Sequence, residues 1–163
     1  QMIPSVVIII PLYFLVAKTG LLDTHFSLIM ADMALTIPMG VIMLSSFFET
    51  VPKELEEAAI LDGCNRFQIF GKIMLPLVKP GIVSLVIFTA KFAWNDFMWP
   101  LLVVTGEEKR TIQLAIQTFF GSKPINYGPI MASLTISAIP MLIMFIVLQK
   151  YYVEGIASTG IKG

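Results

Sequence analysis

The chain has 163 residues, of which 56% are hydrophobic and only 13% are charged. Soluble domains carry about 25% charged residues, so this composition and a mean hydropathy of +0.84 exclude an ordinary soluble domain and indicate a membrane protein. The formal net charge of zero gives no support for nucleic acid or a polyanion as partner, and a single cysteine excludes an internal disulfide.

Four apolar segments are predicted, in chain order, to be membrane-spanning helices. A helix needs about 20 mostly apolar residues to cross the hydrocarbon core, and it satisfies its own backbone hydrogen bonds there, which an open sheet does not. The segments cover residues 3–17, 26–48, 81–104 and 129–148. The predicted fold class is therefore all-α, a polytopic transmembrane helical bundle. Trp94 and Trp99 lie near span ends and are typical of aromatic belts at the membrane interface.

We expect one transmembrane domain over residues 1–163, with a polar loop at 49–80 and an external loop at 105–128. The chain starts at Gln1 inside an apolar stretch, without a basic leader or cleavage site, so we expect a fragment truncated at its N-terminus.

The orientation is predicted from the basic residues. If the loop 49–80 is cytoplasmic, the C-terminus is cytoplasmic too, because two spans separate them. Six basic residues then lie inside and four outside, which satisfies the positive-inside rule by a small margin. The inner group is Lys53, Arg66, Lys72, Lys79, Lys150 and Lys162, and the outer group is Lys18, Lys109, Arg110 and Lys123.

The loop 49–80 is predicted to fold as a helix–turn–helix hairpin on the membrane surface. Pro52 suits the start of the first helix, where its missing N–H costs nothing, and the acidic residues after it favour the positive end of the helix dipole. Gly63 fits a left-handed stop, and Asn65 opens a capping box with Gln68 for the second helix. That helix is predicted to end at the prolines 76 and 80. The alternative is an amphipathic interfacial helix with a solvated acidic face.

The same loop contains a motif of defined spacing. Glu57-Ala58-Ala59 is followed after three residues by Gly63, and nine residues further by Ile73-Met74-Leu75-Pro76. This pattern resembles the EAA loop of permease subunits from bacterial ATP-binding-cassette importers, the cytoplasmic surface on which the ATPase subunit docks. Glu57 would offer its carboxylate to an arginine of that partner, and the alanines would let the partner approach closely. The residues assigned to ATPase coupling are Glu56, Glu57, Ala58, Ala59, Asp62, Gly63, Ile73, Leu75 and Pro76.

Other stretches look similar to the carbohydrate branch of that family, the type that includes the maltose permease's second membrane subunit. They are Met2-Ile3-Pro4 through Pro11-Leu12, the segment 94–101 with its Trp-Asn-Asp-Phe-Met-Trp-Pro-Leu sequence, and the ending from Gly155 to Gly163. The resemblance implies a six-helix core in the bacterial cytoplasmic membrane, of which this chain would keep the last four helices. The implied partners are two ATPase subunits, a second permease subunit and an extracytoplasmic solute-binding protein. The chain would then be no enzyme and need no cofactor, because the partner binds ATP and the sequence lacks a phosphate-binding loop.

Three polar residues in the third predicted span are candidates for the solute pathway: Lys91, Asn95 and Asp96. Lys91 would lie about 16 Å into the span, near the middle of a core about 30 Å thick, where a charge is costly and usually functional. Asp96 is about 140° further around the helix, so the two do not pair along it. The alternative for Lys91 is assembly with a polar group of the partner subunit. Asp32, nearer a span end, is predicted to serve a cap or an interface.

Other functions stay open at this stage. Importer permeases for amino acids, peptides or glycerol phosphate share the loop, and the segment 94–101 favours sugars. A channel or structural membrane protein would have no reason to keep the motif spacing. A membrane-embedded enzyme would have only Asp32 and Asp96 as a carboxylate pair.

Overall fold

A computed structural model of the chain describes residues 4–121 and 125–160. The predicted start of the first span at Ile3 and the basic residues Lys123 and Lys162 lie outside these ranges. The described residues form α-helices connected by short turns, which confirms the all-α fold class. The helices are α1 Ser5–Lys18, α2 His25–Phe48, α3 Lys53–Leu61, α4 Arg66–Ile69, α5 Leu75–Leu77, α6 Lys79–Asn95, α7 Met98–Val103, α8 Ile112–Phe120 and α9 Tyr127–Gly160.

Two helices are long and apolar enough to cross a membrane by themselves. They are α2 and the part of α9 from Tyr127 to Lys150, each with 24 residues and with mean hydropathies of 1.8 and 2.4. At about 1.5 Å per residue, 24 residues exceed a core about 30 Å thick. A third candidate is the pair Arg66–Leu77 and Lys79–Asn95, which bends by 71° at its break. α1 has 14 residues, which is short for a span, so length supports two or three of the four predicted spans.

The third predicted span, 81–104, is wrong as a single helix. α6 ends at Asn95, and the short helix α7 starts at Met98. Pro100 favours a break here, because in a continuous helix its ring would clash with the carbonyl of Asp96 and it has no N–H to donate there. A proline alone does not enforce a break, since Pro38 and Pro140 lie inside continuous helices. At the break, the carboxylate of Asp96 accepts a hydrogen bond from the N–H of Trp99 at 3.4 Å.

The external loop predicted at 105–128 contains a helix of its own. A short 3-10 turn, Glu107–Lys109, is followed by α8, whose N-terminus is capped by the side chain of Thr111. Leu114 and Ile116 of α8 are buried. The segment is therefore packed structure and not only a polar connection.

The chain divides into two compact units. One consists of Gln1–Pro38 and Thr89–Met144, the other of Met39–Phe88 and Phe145–Gly163. The core of the first unit is a cluster of apolar side chains from α1, α2, α7 and α8 with the residue after α7. Its buried members are Val16, Ala31, Trp99, Val103, Val104 and Leu114.

Trp99 belongs to this core, so its predicted place in an aromatic belt is wrong. Its side chain is 2% exposed, and its indole N–H donates to the carbonyl of Ser27 at 3.1 Å. Trp94 is half-buried and donates to the carbonyl of Ser137 at 3.0 Å. Both indoles thus bond to the backbone of a neighbouring helix, which is the usual requirement for a buried tryptophan.

A second feature of the first unit is a polar clasp around Asp23, in the turn between α1 and α2. Its Oδ1 accepts from the N–H groups of Thr105 and Gly106, both at 2.9 Å, and its Oδ2 lies 3.0 Å from Lys109 Nζ. The pKa of Asp23 lies well below its usual range. The largest cause is the hydrogen bond from the Gly106 N–H, followed by the bonds from the Lys109 side chain and the Thr105 N–H. The clasp joins the turn after α1 to the turn after α7.

In the second unit, α2 and α6 approach closely at two glycines. A Cβ at Gly81 would overlap the ring of Phe47, and a Cβ at Gly40 would lie 3.3 Å from a methyl group of Leu85. Small residues at such positions let helix backbones come together, which is how membrane helices gain packing contacts. The start of α6 is thereby fixed against the end of α2.

Candidate functional site

The first helix of the hairpin, α3, ends at a left-handed glycine. Gly63 has φ +81. Its N–H donates to the carbonyl of Ile60 at 3.0 Å, and the N–H of Cys64 donates to the carbonyl of Ala59, also at 3.0 Å. These two bonds form a Schellman motif, in which a left-handed residue turns the chain back over the last helical turn. The predicted stop at Gly63 is confirmed.

The second helix begins with the predicted capping box. The side chain of Asn65 accepts from the N–H of Gln68 at 2.9 Å, and the side chain of Gln68 accepts from the N–H of Asn65 at 2.8 Å. α3 and α4 are in contact. Bonds within the chain therefore fix both sides of the turn.

The second helix of the hairpin changes its winding before it reaches α6. A π turn, Phe70–Met74, lies between α4 and α5, a feature that often marks functional sites. The helical path breaks at Val78, which has φ −89 and ψ 9, and α6 begins with the next residue. Pro80 therefore lies in the first turn of α6, where its missing N–H costs nothing, and does not end the hairpin as predicted.

The structure separates the two alanines of the motif. Glu57 and Ala58 are exposed, as are Asp62 and Gly63, but Ala59 is only 4% exposed. The prediction that both alanines offer surface to a partner is therefore wrong for Ala59. Its small side chain is buried and its carbonyl accepts from Cys64, so it closes the hairpin internally.

Glu56 and the end of the motif lie elsewhere on the hairpin. Glu56 lines an open pocket of about 480 Å³ together with Phe48, Arg66, Ile69, Phe70 and Met74. The rings of Phe48 and Phe70 stack in it, with centroids 6.1 Å apart. Ile73 and Leu75 are half-buried, and Pro76 is exposed.

The candidate pathway residues are only partly brought together. Lys91 and Asn95 are exposed and one helical turn apart, and the amide of Asn95 donates to the carbonyl of Lys91 at 2.8 Å. Lys91 belongs to neither of the ion pairs Lys109–Asp23 and Arg110–Glu107.

Lys91 lies four residues, or about 6 Å along the helix axis, before the end of α6. Asp32, in α2, interacts electrostatically with Asp96, and its Oδ1 is buried without a hydrogen-bond partner among the described residues.

Two apolar residues of the hairpin that are not in the predicted coupling set are strongly exposed. Leu61 is 87% exposed and Phe67 is 90% exposed, the highest values among the large apolar side chains described. Their position next to the Gly63 turn was visible in the sequence. Their exposure was not, because an apolar residue in an amphipathic helix is usually assigned to the buried face.

These features define a membrane component with a pre-formed surface hairpin between its helices. The chain matches, over residues 1–158, the family described as "Binding-protein-dependent transport system inner membrane component", and it belongs to that family. The family consists of transport components rather than enzymes, which confirms that the chain is not an enzyme and removes the membrane-enzyme alternative.

Two relatives carry names that describe transport. The chain is 41% identical over 162 residues to the probable ABC transporter permease protein YurM of Bacillus subtilis strain 168, covering 99% of this chain and 54% of YurM. It is 34% identical over 164 residues to the melibiose/raffinose/stachyose import permease protein MelC of the same organism, covering 100% of this chain and 59% of MelC. The chain thus spans a little over half the length of these relatives.

A solved structure supports the fold. It is the crystal structure of a bacterial ABC transporter involved in the import of the acidic polysaccharide alginate, with a TM-score of 0.68 and 28% sequence identity. The match covers 88% of this chain and 55% of the other. Together these similarities confirm the resemblance to ATP-binding-cassette permeases, including sugar and oligosaccharide systems.

Proposed function

We propose that the chain is part of the permease subunit of an ATP-driven importer for sugars or oligosaccharides, in the bacterial cytoplasmic membrane. The observation that carries the proposal is the pre-formed hairpin of α3 and α4, which presents an exposed acidic face and continues through α5 into α6. The family membership and the sugar named for MelC support the solute class.

The proposed partners are two ATPase subunits, a second permease subunit and an extracytoplasmic solute-binding protein. The ATPase binds ATP, so the permease chain needs no cofactor of its own. The hairpin and the C-terminus face the cytoplasm. The ATPase docks on the exposed residues of the coupling set, Glu57, Ala58, Asp62 and Gly63, with Glu56, Ile73, Leu75 and Pro76 at the sides of the contact.

A displacement of the hairpin would be transmitted to the membrane helices. Closure of the ATPase pair moves the hairpin as one body, because its turn is fixed by the Schellman motif and the capping box. α6 follows at the 71° bend, and the close packing of Gly81 on Phe47 carries the displacement to α2. Rigid-body rocking of this kind alternates access to a solute site.

Lys91, Asn95 and Asp96 are the proposed solute-pathway residues. Lys91 and Asn95 present polar side chains on one side of α6, and polar groups on a membrane helix usually face a pathway or a protein partner. Asp96 lies at the break between α6 and α7, where the irregular backbone offers further polar groups.

The experiment is the charge reversal Glu57→Lys in the full-length permease, reconstituted with its partners in liposomes. Loss of the acidic partner group should uncouple ATP hydrolysis from uptake of a panel of labelled di- and trisaccharides, with uptake reduced about tenfold or more. The amount of inserted protein should not change. The matched control is Glu107→Lys, because Glu107 is exposed in the turn after α7.

Normal uptake by Glu57→Lys would contradict the docking role. If the wild-type complex hydrolyses ATP on addition of its binding protein but transports no saccharide of the panel, the sugar assignment is wrong while the importer assignment stands.

A further inference from the structure

A small open pocket lies between α7 and α8, and its lining belongs neither to the coupling set nor to the proposed solute pathway. Its volume is about 260 Å³. At about 30 Å³ for each water molecule, this is room for a group of the size of glycerophosphate, but not for two acyl chains. The described residues that line the pocket are Leu101, Val104, Arg110, Leu114, Gln117 and Thr118.

The pocket is amphipathic because of the way the two helices contribute to it. Leu114, Gln117 and Thr118 are three and four residues apart, so they share one face of α8. Leu101 lies in α7, and Val104 follows its last residue. Aliphatic side chains from both helices therefore adjoin an amide and a hydroxyl group in the same small space.

Arg110 adds a positive charge that is only loosely neutralised. Its side chain is 31% exposed, and it lies 3.6 Å from the carboxylate of Glu107, whose own side chain is 86% exposed. An exposed pair of this kind contributes little. The neighbouring Lys109 is instead bound to the carboxylate of Asp23. The guanidinium of Arg110 thus keeps N–H donors for an anion, and its planar geometry matches two oxygens of a phosphate.

The surface beside the pocket suits lipid. Large apolar side chains are 38–46% exposed on both helices, Leu101 and Leu102 on α7 and Phe119 and Phe120 on α8. Along the chain, α8 is followed by α9, whose part from Tyr127 onward is long and apolar enough to cross a membrane. An amphipathic helix with exposed aromatic residues in this position is typical of the boundary between headgroups and acyl chains.

We propose that the pocket between α7 and α8 binds an anionic phospholipid with a glycerol headgroup, of the phosphatidylglycerol type. Arg110 binds the phosphate, and the amide of Gln117 bonds to a hydroxyl group of the headgroup. The acyl chains lie along Leu101 and the exposed phenylalanines. A soluble phosphate would gain nothing from the aliphatic lining, and a zwitterionic lipid would bring a second cation close to Arg110, so the charge and the lining together favour the anionic lipid.

The test measures which lipid accumulates beside the pocket in the complete transporter. A full-length permease whose native cysteines are replaced carries Phe120→Cys with a fluorophore, two residues after Thr118, and is reconstituted with its partners in nanodiscs. At equal mole fraction, nitroxide-labelled phosphatidylglycerol should quench the fluorophore about threefold more strongly than nitroxide-labelled phosphatidylcholine. Equal quenching by the two lipids would overturn the inference.

Two changes of Arg110 and one matched control separate a site from general attraction to anionic lipid. Arg110→Gln should lower the ratio of the two quenching values to about one. Arg110→Lys should give an intermediate ratio, because it keeps the charge and loses the planar pair of donors. Lys18→Gln removes the charge of an exposed lysine at the end of α1 and should leave the ratio unchanged. An unchanged ratio in Arg110→Gln, or an equal fall in Lys18→Gln, would refute the site.

The apolar part of the pocket distinguishes a lipid from a soluble phosphate. Leu101→Gln should reduce quenching by phosphatidylglycerol about twofold, because it removes apolar contact with the acyl chains. Inorganic phosphate and glycerol 1-phosphate at millimolar concentration should not displace the lipid, when compared with chloride at the same ionic strength. If either anion lowers the quenching to the phosphatidylcholine level, the pocket binds a soluble phosphate and the lipid assignment is wrong.

Folding is checked by thermal unfolding of the same complexes. Arg110→Gln should melt at the wild-type temperature, since its pair with Glu107 is loose. If it melts lower, Arg110→Lys decides: an intermediate ratio at the wild-type melting temperature supports the site, and a wild-type ratio refutes the phosphate contact. Solute uptake is not measured, so a failure of this inference leaves the proposed function standing.

Discussion

Asp23 combines a left-handed backbone, with φ 54, and a carboxylate that joins two turns of the first unit. Asparagine tolerates the same backbone conformation, so Asp23→Asn removes the charge without a change of turn. We expect it to weaken the bonds to the Thr105 and Gly106 N–H groups and the ion pair with Lys109, because hydrogen bonds to a charged acceptor are the stronger kind. Hydrogen exchange of those two amides should become several-fold faster in the full-length protein.

The control for Asp23→Asn is Glu107→Gln, which removes the loose pair with Arg110 at 3.6 Å and should leave exchange unchanged. Because the pKa of Asp23 is lowered in the folded protein, the stabilisation by its charge is complete above the ordinary value of 3.8. It is lost only as the pH falls through the lower folded value. Amide protection corrected for intrinsic rates should thus be the same at pH 7 and pH 5, and a decline over that interval would refute the ionised clasp.

Single-residue roles could be predicted where they depend on the local chain only. Gly63 and Asn65 were predicted correctly, because a left-handed stop and a capping box are encoded within a few residues. Ala59 and Trp99 were assigned to surfaces and proved to be buried. Their environment is set by residues distant in sequence, in the case of Trp99 by Ser27, and no spacing rule contains that information.

The contact between α2 and α6 gives a prediction for paired glycines. Gly81→Ala places a methyl group in the ring of Phe47, whereas Gly71→Ala meets no heavy atom within 4 Å. We expect Gly81→Ala to destabilise the full-length permease by about 1–3 kcal/mol through overpacking. Gly71→Ala should be neutral or stabilising by up to about 1 kcal/mol, since alanine favours helix. Thermal unfolding in detergent measures both.

The double variant Gly81→Ala/Phe47→Leu distinguishes a steric clash with the ring from an effect on the backbone. Leucine is smaller than the phenylalanine ring, so the double variant should recover most of the lost stability. If Phe47→Leu brings no recovery, or if both glycine variants melt alike, the close contact of the two helices is not what sets the stability.

Helices were predictable from apolar length, but their interruptions were only partly so. α2 and α9 agree with the predicted spans because their apolar runs are long enough, and Pro38 and Pro140 lie inside these helices without ending them. The end of α6 at Asn95 could not be predicted from Pro100, because a proline in an apolar run interrupts the helix in this case and not in the other two. α8 was hidden because it is short and its capping residue, Thr111, follows a charged turn.

At the scale of the whole molecule, the surface suits lipid and protein partners better than water. α1, α2 and α9 expose large apolar side chains along their length, among them Val6, Ile37, Ile146 and Val147 at 54–66%. Soluble monomers usually keep such side chains in smaller exposed patches. The exposed apolar side chains are therefore consistent with a membrane component, the family to which the chain belongs.

The proposed function predicts the orientation of the molecule, since an ATPase would contact the hairpin only from the cytoplasm. Cys64, the single cysteine of the chain, lies in the hairpin turn and is partly exposed. In intact cells that express the full-length permease with Cys64 as its only cysteine, a membrane-permeant maleimide should label it and an impermeant one should not. In a Cys64→Ser background, Glu107→Cys should react with the impermeant reagent, because one span separates the hairpin from that turn. The reverse pattern would put the hairpin outside the cell, where no ATPase contacts it, and a permease driven through this surface would be impossible.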